Sequence, residues 1–137
     1  MQDRFKFRIW DKKQNKYLTT ESRGNNIDCW IELDNTGVYL VERDNTRDVA
    51  YFNDITEDVI IQQCTGLKDK NGTPIYEGDV VKIFFKYLNQ KVVDVIEWDN
   101  TAVRFKYVKF GELSIYNYAE TWEVIGNIYE NEELLNV

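Results

Sequence analysis

The sequence predicts an all-β or β-dominated protein: antiparallel hairpins packed on a C-terminal SH3-like small barrel, ending in a short helical turn. Three observations carry that expectation. Aromatic residues make up 15% of the chain and stand among Val and Ile in short alternating runs, which suits pleated strands better than helices. Turn pairs such as Asp34-Asn35, Asn71-Gly72 and Asp99-Asn100 separate those runs at close intervals. A length of 137 residues fits one domain or two small modules sharing a core, and can bury that core unaided.

Phe5, Phe7 and Ile9 alternate with Arg4, Lys6, Arg8 and Trp10, giving a first strand with an apolar face and a basic face that includes Trp10. The chain turns over residues 11–16 and returns at 17–20. Cys29, Ile31 and Leu33 share one face of the next strand. Asp34-Asn35-Thr36-Gly37 then makes a hairpin turn, since Asn and Gly tolerate positive φ, and 38–42 runs back. Over 47–57 the pattern weakens to a strand followed by a connection or a short helix capped by Thr56. Residues 59–63 fit a short strand or a helical turn equally, too short a run to separate the two periods.

Beyond Gly66 the turn signals become dense. Asn71-Gly72 marks a tight turn, Pro74 restricts the approach to the next strand, and Glu77-Gly78-Asp79 leads into an apolar strand over 80–85. Residues 92–98 and 102–110 form a hairpin about Asp99-Asn100, with Val92, Asp94 and Ile96 on one face and Val93, Val95 and Glu97 on the other. The last strand covers 122–129 and a helical turn 131–135. Two modules are expected: N-terminal hairpins over 1–63 and a barrel with its tail over 66–137. Gly66, Asn71, Gly72 and Gly78 are the expected turn residues, the glycines standing where a side chain would be strained.

Charge and composition exclude several classes of function. The net charge is −7, which opposes nonspecific attraction to a nucleic-acid backbone or an anionic membrane. The chain contains no histidine, so histidine acid–base catalysis, Ser–His and Cys–His nucleophile pairs and histidine metal ligation are absent. Cys29 and Cys64 lack CxxC spacing and read as reduced, buried thiols. The charged start and the lack of any long apolar run predict a cytoplasmic protein without a membrane partner. The charge is unevenly spread. Residues 1–16 carry six basic side chains against Asp3 and Asp11, a net of +4, whereas 112–137 carry six acidic side chains and no basic one, a net of −6.

The motifs that invite chemistry fail on spacing. Asp69-Lys70-Asn71-Gly72 resembles part of a calcium loop, but aligning Gly72 with the sixth loop position puts Leu67 first and Gly78 twelfth, where a bidentate Glu is required. No phosphate-cradling glycine loop occurs. Glu77 and Asp79 are paired carboxylates at a strand entrance and read as a solvated turn. Arg4-Phe5-Lys6-Phe7-Arg8 and Arg104-Phe105-Lys106-Tyr107-Val108-Lys109 interleave basic and aromatic residues as single-strand nucleic-acid binders do. A half-buried strand yields the same alternation with its aromatics in the core.

Three blocks go beyond generic strand grammar: Phe7-Arg8-Ile9-Trp10-Asp11 with Lys16-Tyr17; Gln63-Cys64-Thr65-Gly66-Leu67-Lys68-Asp69-Lys70-Asn71-Gly72 through Ile75-Tyr76-Glu77-Gly78-Asp79-Val80-Val81; and Glu123-Val124-Ile125-Gly126-Asn127-Ile128-Tyr129-Glu130-Asn131. In that order the chain resembles the YopX family of phage and prophage proteins over nearly its whole length. Cys64, Leu18 and Glu132 depart from the family's usual aromatic, Met and Pro. The resemblance implies a mostly β protein acting in a bacterial host's cytoplasm, and it supplies no substrate.

Together these readings favour a non-enzymatic phage accessory protein, without cofactor or metal, that binds a second copy of itself or a host or phage protein. The alternative is a small nucleic-acid-binding barrel using the aromatic–basic strands, and an enzyme resting on carboxylates alone comes third. The candidate interaction residues are Arg4, Arg8, Trp10, Arg104, Lys106 and Lys109.

Overall fold

The computed structural model describes residues 6–19, 26–86, 89–109 and 121–136. The protein is β-dominated, its sheets are antiparallel, and one curls into half a barrel. Helical structure among the described residues is confined to short 3-10 turns, and none of its helices is long and apolar enough to cross a membrane. The chain divides into two compact units, Met1–Arg8 with Ile61–Val137, and Ile9–Ile60.

The strands are β1 (Phe7–Asp11), β2 (Lys16–Tyr17), β3 (Ile27–Leu33), β4 (Val38–Asp44), β5 (Val49–Asp54), β6 (Val59–Lys68), β7 (Pro74–Tyr76), β8 (Asp79–Phe85), β9 (Gln90–Asp99), β10 (Arg104–Tyr107) and β11 (Glu123–Asn127). They form three sheets, ordered β2-β1-β6-β7, β10-β9-β8-β11 and β3-β4-β5. Residues 59–63, ambiguous by period, are strand. Here Val59, Gln62, Cys64 and Thr65 are buried, so no clean alternation was available to read.

In the Ile9–Ile60 unit, β3 and β4 pair from Ile27 opposite Asp44 to Leu33 opposite Val38. Asp34 Oδ1 closes their turn by accepting the N–H groups of Thr36 at 2.7 Å and Gly37 at 3.0 Å. Thr56 does not cap the 3-10 turn over Thr56–Asp58; Ile55 stands at that position without a side-chain cap. The Thr56 hydroxyl instead donates to Asp54 Oδ1 at 2.7 Å and accepts from the N–H of Val38 at 2.9 Å. Trp10 is 4% exposed and meets Tyr17, its cross-strand partner, edge to face at 5.1 Å. Sharing the basic face of the first strand in the sequence register, it is covered and not open to a partner. Ile9, Trp10 and Asp11 are all buried, so β1 is covered on both sides there and period-two alternation stops reporting exposure.

In the other unit, Val81 and Ile83 of β8, Ile96 of β9 and Phe105 and Tyr107 of β10 meet Ile75 and Trp122 in one apolar core, with Leu67, Phe85 and Val124 packed against it. Burying each large side chain is worth about 1.5–3 kcal/mol. Alternation along β8 leaves Lys82 and Phe84 on the opposite face. Gly66 lies within β6, where the pairing with β7 shifts register between Cys64 and Lys68, and its φ of 82° suits a bulge. The chain ends in a 3-10 turn over Glu132–Asn136.

Candidate functional site

The blocks that carry the family resemblance build two polar clamps. Arg8 projects from β1, and its Nη2 donates to Asp79 Oδ1 at 2.6 Å while its Nε donates to Gln62 Oε1 at 2.7 Å. Its guanidinium lies 4.7 Å from the centre of the Tyr76 ring. Asp79 Oδ2 accepts the N–H of Tyr76 at 2.8 Å, so both carboxylate oxygens are engaged. Burial pushes the Asp79 carboxyl up and outweighs the pull of Arg8 and the Tyr76 N–H. Gly78 turns the chain into β8 at φ 81°, and a Cβ there would meet the Gln62 amide.

The second clamp is Asp69. Its Oδ1 accepts the N–H groups of Asn71 at 2.8 Å and Thr73 at 2.9 Å, and its Oδ2 accepts that of Val124 at 2.9 Å. Burial raises the Asp69 carboxyl, but these three N–H groups outweigh it and hold the pKa below the ordinary range. The calcium-like tetrapeptide is therefore a turn whose carboxylate is filled by its own backbone and by β11. Gly72 takes φ 79° with open space around it.

Of the six interaction candidates, Arg4 lies outside the described residues. Arg8 is committed to Asp79, and Trp10 is buried against Tyr17. Arg104 and Lys109 are exposed. Lys106 reaches Glu97 at 3.1 Å and Asp99 at 3.8 Å, and its hydrogen bond to Glu97 raises its pKa. The aromatics between them face inward: Phe105 and Tyr107 belong to the core, packed edge to face on Trp98 and Trp122. That strand offers charge to a partner but no ring from Phe105 or Tyr107.

Two features emerge that sequence reading missed. A recess of about 100 Å³ is lined by Lys70, Lys82, Phe84, Lys91, Thr121 and Glu123. Lys82 stands opposite Glu123 of β11, and Phe84 opposite Lys91 of β9. Alternation along β8 places Lys82 and Phe84 outward, but only the cross-strand register brings Lys91 and Glu123 beside them. The second feature is β5, exposed at all six positions and standing at one end of its sheet order. Tyr51 is 53% and Phe52 59% exposed. The weak pattern over 47–57 is the signature of a strand with no buried face.

A family model described as YopX protein matches residues 6–136. The crystal structure of protein EF1440 from Enterococcus faecalis is similar over 95% of this chain and 96% of its own, with a TM-score of 0.56 and 27% identity. The X-ray structure of protein yopX from Bacillus subtilis is similar over 96% and 98%, with a TM-score of 0.56 and 20% identity. No curated protein matches the chain.

Proposed function

The chain belongs to the YopX family, and on that premise we propose a non-enzymatic phage or prophage accessory protein that works in the host cytoplasm by binding protein, in the first place a second copy of itself. The observation that supports this reading is β5. An edge strand with unpaired backbone groups and exposed aromatic side chains is a template for another strand. Val49, Tyr51 and Phe52 are all exposed on it.

The geometry of a two-fold antiparallel pairing selects the register. Opposite residues share a face, so the axis must pass through a residue facing its own copy. Centring on Tyr51 sets Asp48 against Asp54 of the second copy, and like charges directly opposite are unfavourable. Centring on Phe52 pairs the segment 50–54 with itself, aromatic on aromatic, and brings no like charges face to face.

Light scattering at several concentrations tests this. The expected result is a mass above the 16.3 kDa of one chain that falls on dilution. Phe52→Lys, which sets two cations against each other at the axis, should return the protein to a folded monomer with the parent's circular dichroism and a melting temperature that no longer depends on concentration. A mass of one chain at every concentration would remove self-association from the account.

A further inference from the structure

The recess on the outer face of the β8–β9–β11 region concentrates positive charge on an acidic protein. Three lysines and one glutamate line it, whereas the chain as a whole carries −7. Glu123 is already spoken for: Lys70 Nζ reaches its Oε2 at 2.8 Å, and that contact, with Lys82 adding to it, keeps the carboxyl pKa low. The Lys70–Glu123 pair is therefore neutral in sum and forms one wall. Lys82 and Lys91 make no ion pair among the described residues, so the lining of three lysines and one glutamate carries a net of two positive charges.

Size and shape narrow the ligand. Small-molecule pockets usually run to about 300–1,000 Å³, and a water occupies about 30 Å³ of liquid, so a recess of about 100 Å³ holds a few waters or one tetrahedral oxyanion. It does not hold a whole cofactor. Phe84, 43% exposed, is part of the lining, directly across from Lys91. An exposed ring beside lysines gives a planar base a surface to stack on while its phosphate meets the ammonium groups.

We infer that this recess binds a phosphate monoester carried next to a planar base, the phosphate between Lys82 and Lys91 and the base on Phe84. Two sources offer that chemistry: a free 5′-mononucleotide and the 5′-phosphorylated end of a single strand. Lys70 and Glu123 act as positioning residues.

Amide-resolved NMR titration of the full chain at low salt tests the assignment. The probes are AMP, adenosine, inorganic phosphate, and a trinucleotide with and without its 5′-phosphate. AMP or the phosphorylated trinucleotide should shift the amides of Lys82, Phe84, Lys91 and Glu123, binding at least tenfold more tightly than its counterpart without phosphate. A response to the trinucleotide alone identifies a strand end as the source. Lys91→Glu and the milder Lys91→Gln should each weaken that binding at least tenfold, and Phe84→Ala should reduce it to the level of inorganic phosphate. Both positions are exposed, so the melting temperature should not change. The assignment is overturned if neither phosphorylated probe gives a saturable response, if probes without phosphate bind equally well, or if the Lys91 variants bind like the parent.

Discussion

Arg8 and Asp79 lie 71 residues apart in the chain and meet at 2.6 Å, joining β1 to the first residue of β8. The Asp79 side chain is 1% exposed, so its charge depends on this partner. Removing one member of a buried pair typically costs about 3–5 kcal/mol, and Arg8→Met should show a loss of that order by urea unfolding at neutral pH. Adding Asp79→Asn should recover part of it, because the orphaned charge goes while an acceptor for the Tyr76 N–H stays. The sign of the pH effect follows from the raised Asp79 pKa. Its favourable contribution is full below the unfolded value of about 3.9 and is lost as pH rises through the folded one. The Arg8→Met deficit should therefore shrink in acid.

Asp69 behaves in the opposite sense. Its pKa is held low by the N–H groups of Val124, Thr73 and Asn71 against the effect of burial, so its contribution is present above about pH 3.9 and disappears as pH falls through the folded value. Asp69→Asn turns an amide NH₂ toward one set of these donors and should cost about 2–3 kcal/mol at neutral pH, with a flatter acid-unfolding profile than the parent. Millimolar Ca²⁺ should leave the melting temperature of the parent unchanged, since a ligand stabilises only by binding the native state.

Two glycines with nearly equal φ should respond differently to alanine. Gly72 at 79° has open space around it, whereas a Cβ on Gly78 at 81° would meet Gln62. Gly72→Ala should cost about 1–2 kcal/mol from backbone conformation alone. Gly78→Ala should cost clearly more, because it also displaces the amide that receives Arg8. Equal losses in denaturant titrations would contradict that distinction.

Trp122 is fully buried in the core and packs edge to face on Tyr107 at 5.1 Å. Trp122→Ala should cost about 3–5 kcal/mol, and a variant with the parent's thermal stability would contradict its placement.

What the sequence revealed of the fold follows from how local each cause is. Alternation in Val81, Lys82, Ile83 and Phe84 reports burial because β8 presents one face to the core and the other outward. The same reasoning fails at Trp10, where β1 is covered on both sides, and at β5, where neither face is. Gly66 was legible as a backbone special but not as a bulge, since a positive φ serves a turn and a bulge alike. The candidate sites were less legible still. Lys91 joins Lys82 only through the β8–β9 register, and nothing near Arg8 in the chain points to Asp79.

The division of the chain also constrains the order of events during synthesis. The unit containing Arg8 is discontinuous, since Met1–Arg8 is separated by the whole Ile9–Ile60 unit from the remainder, which begins at Ile61. On a ribosome the Ile9–Ile60 unit, continuous in sequence, has all its residues available first, and its β3–β4 hairpin needs no later segment. Arg8 emerges before that unit yet must wait for Asp79 before its charge is matched. Closing so long a loop delays folding, so Arg8 is among the last residues of its own unit to find its partner.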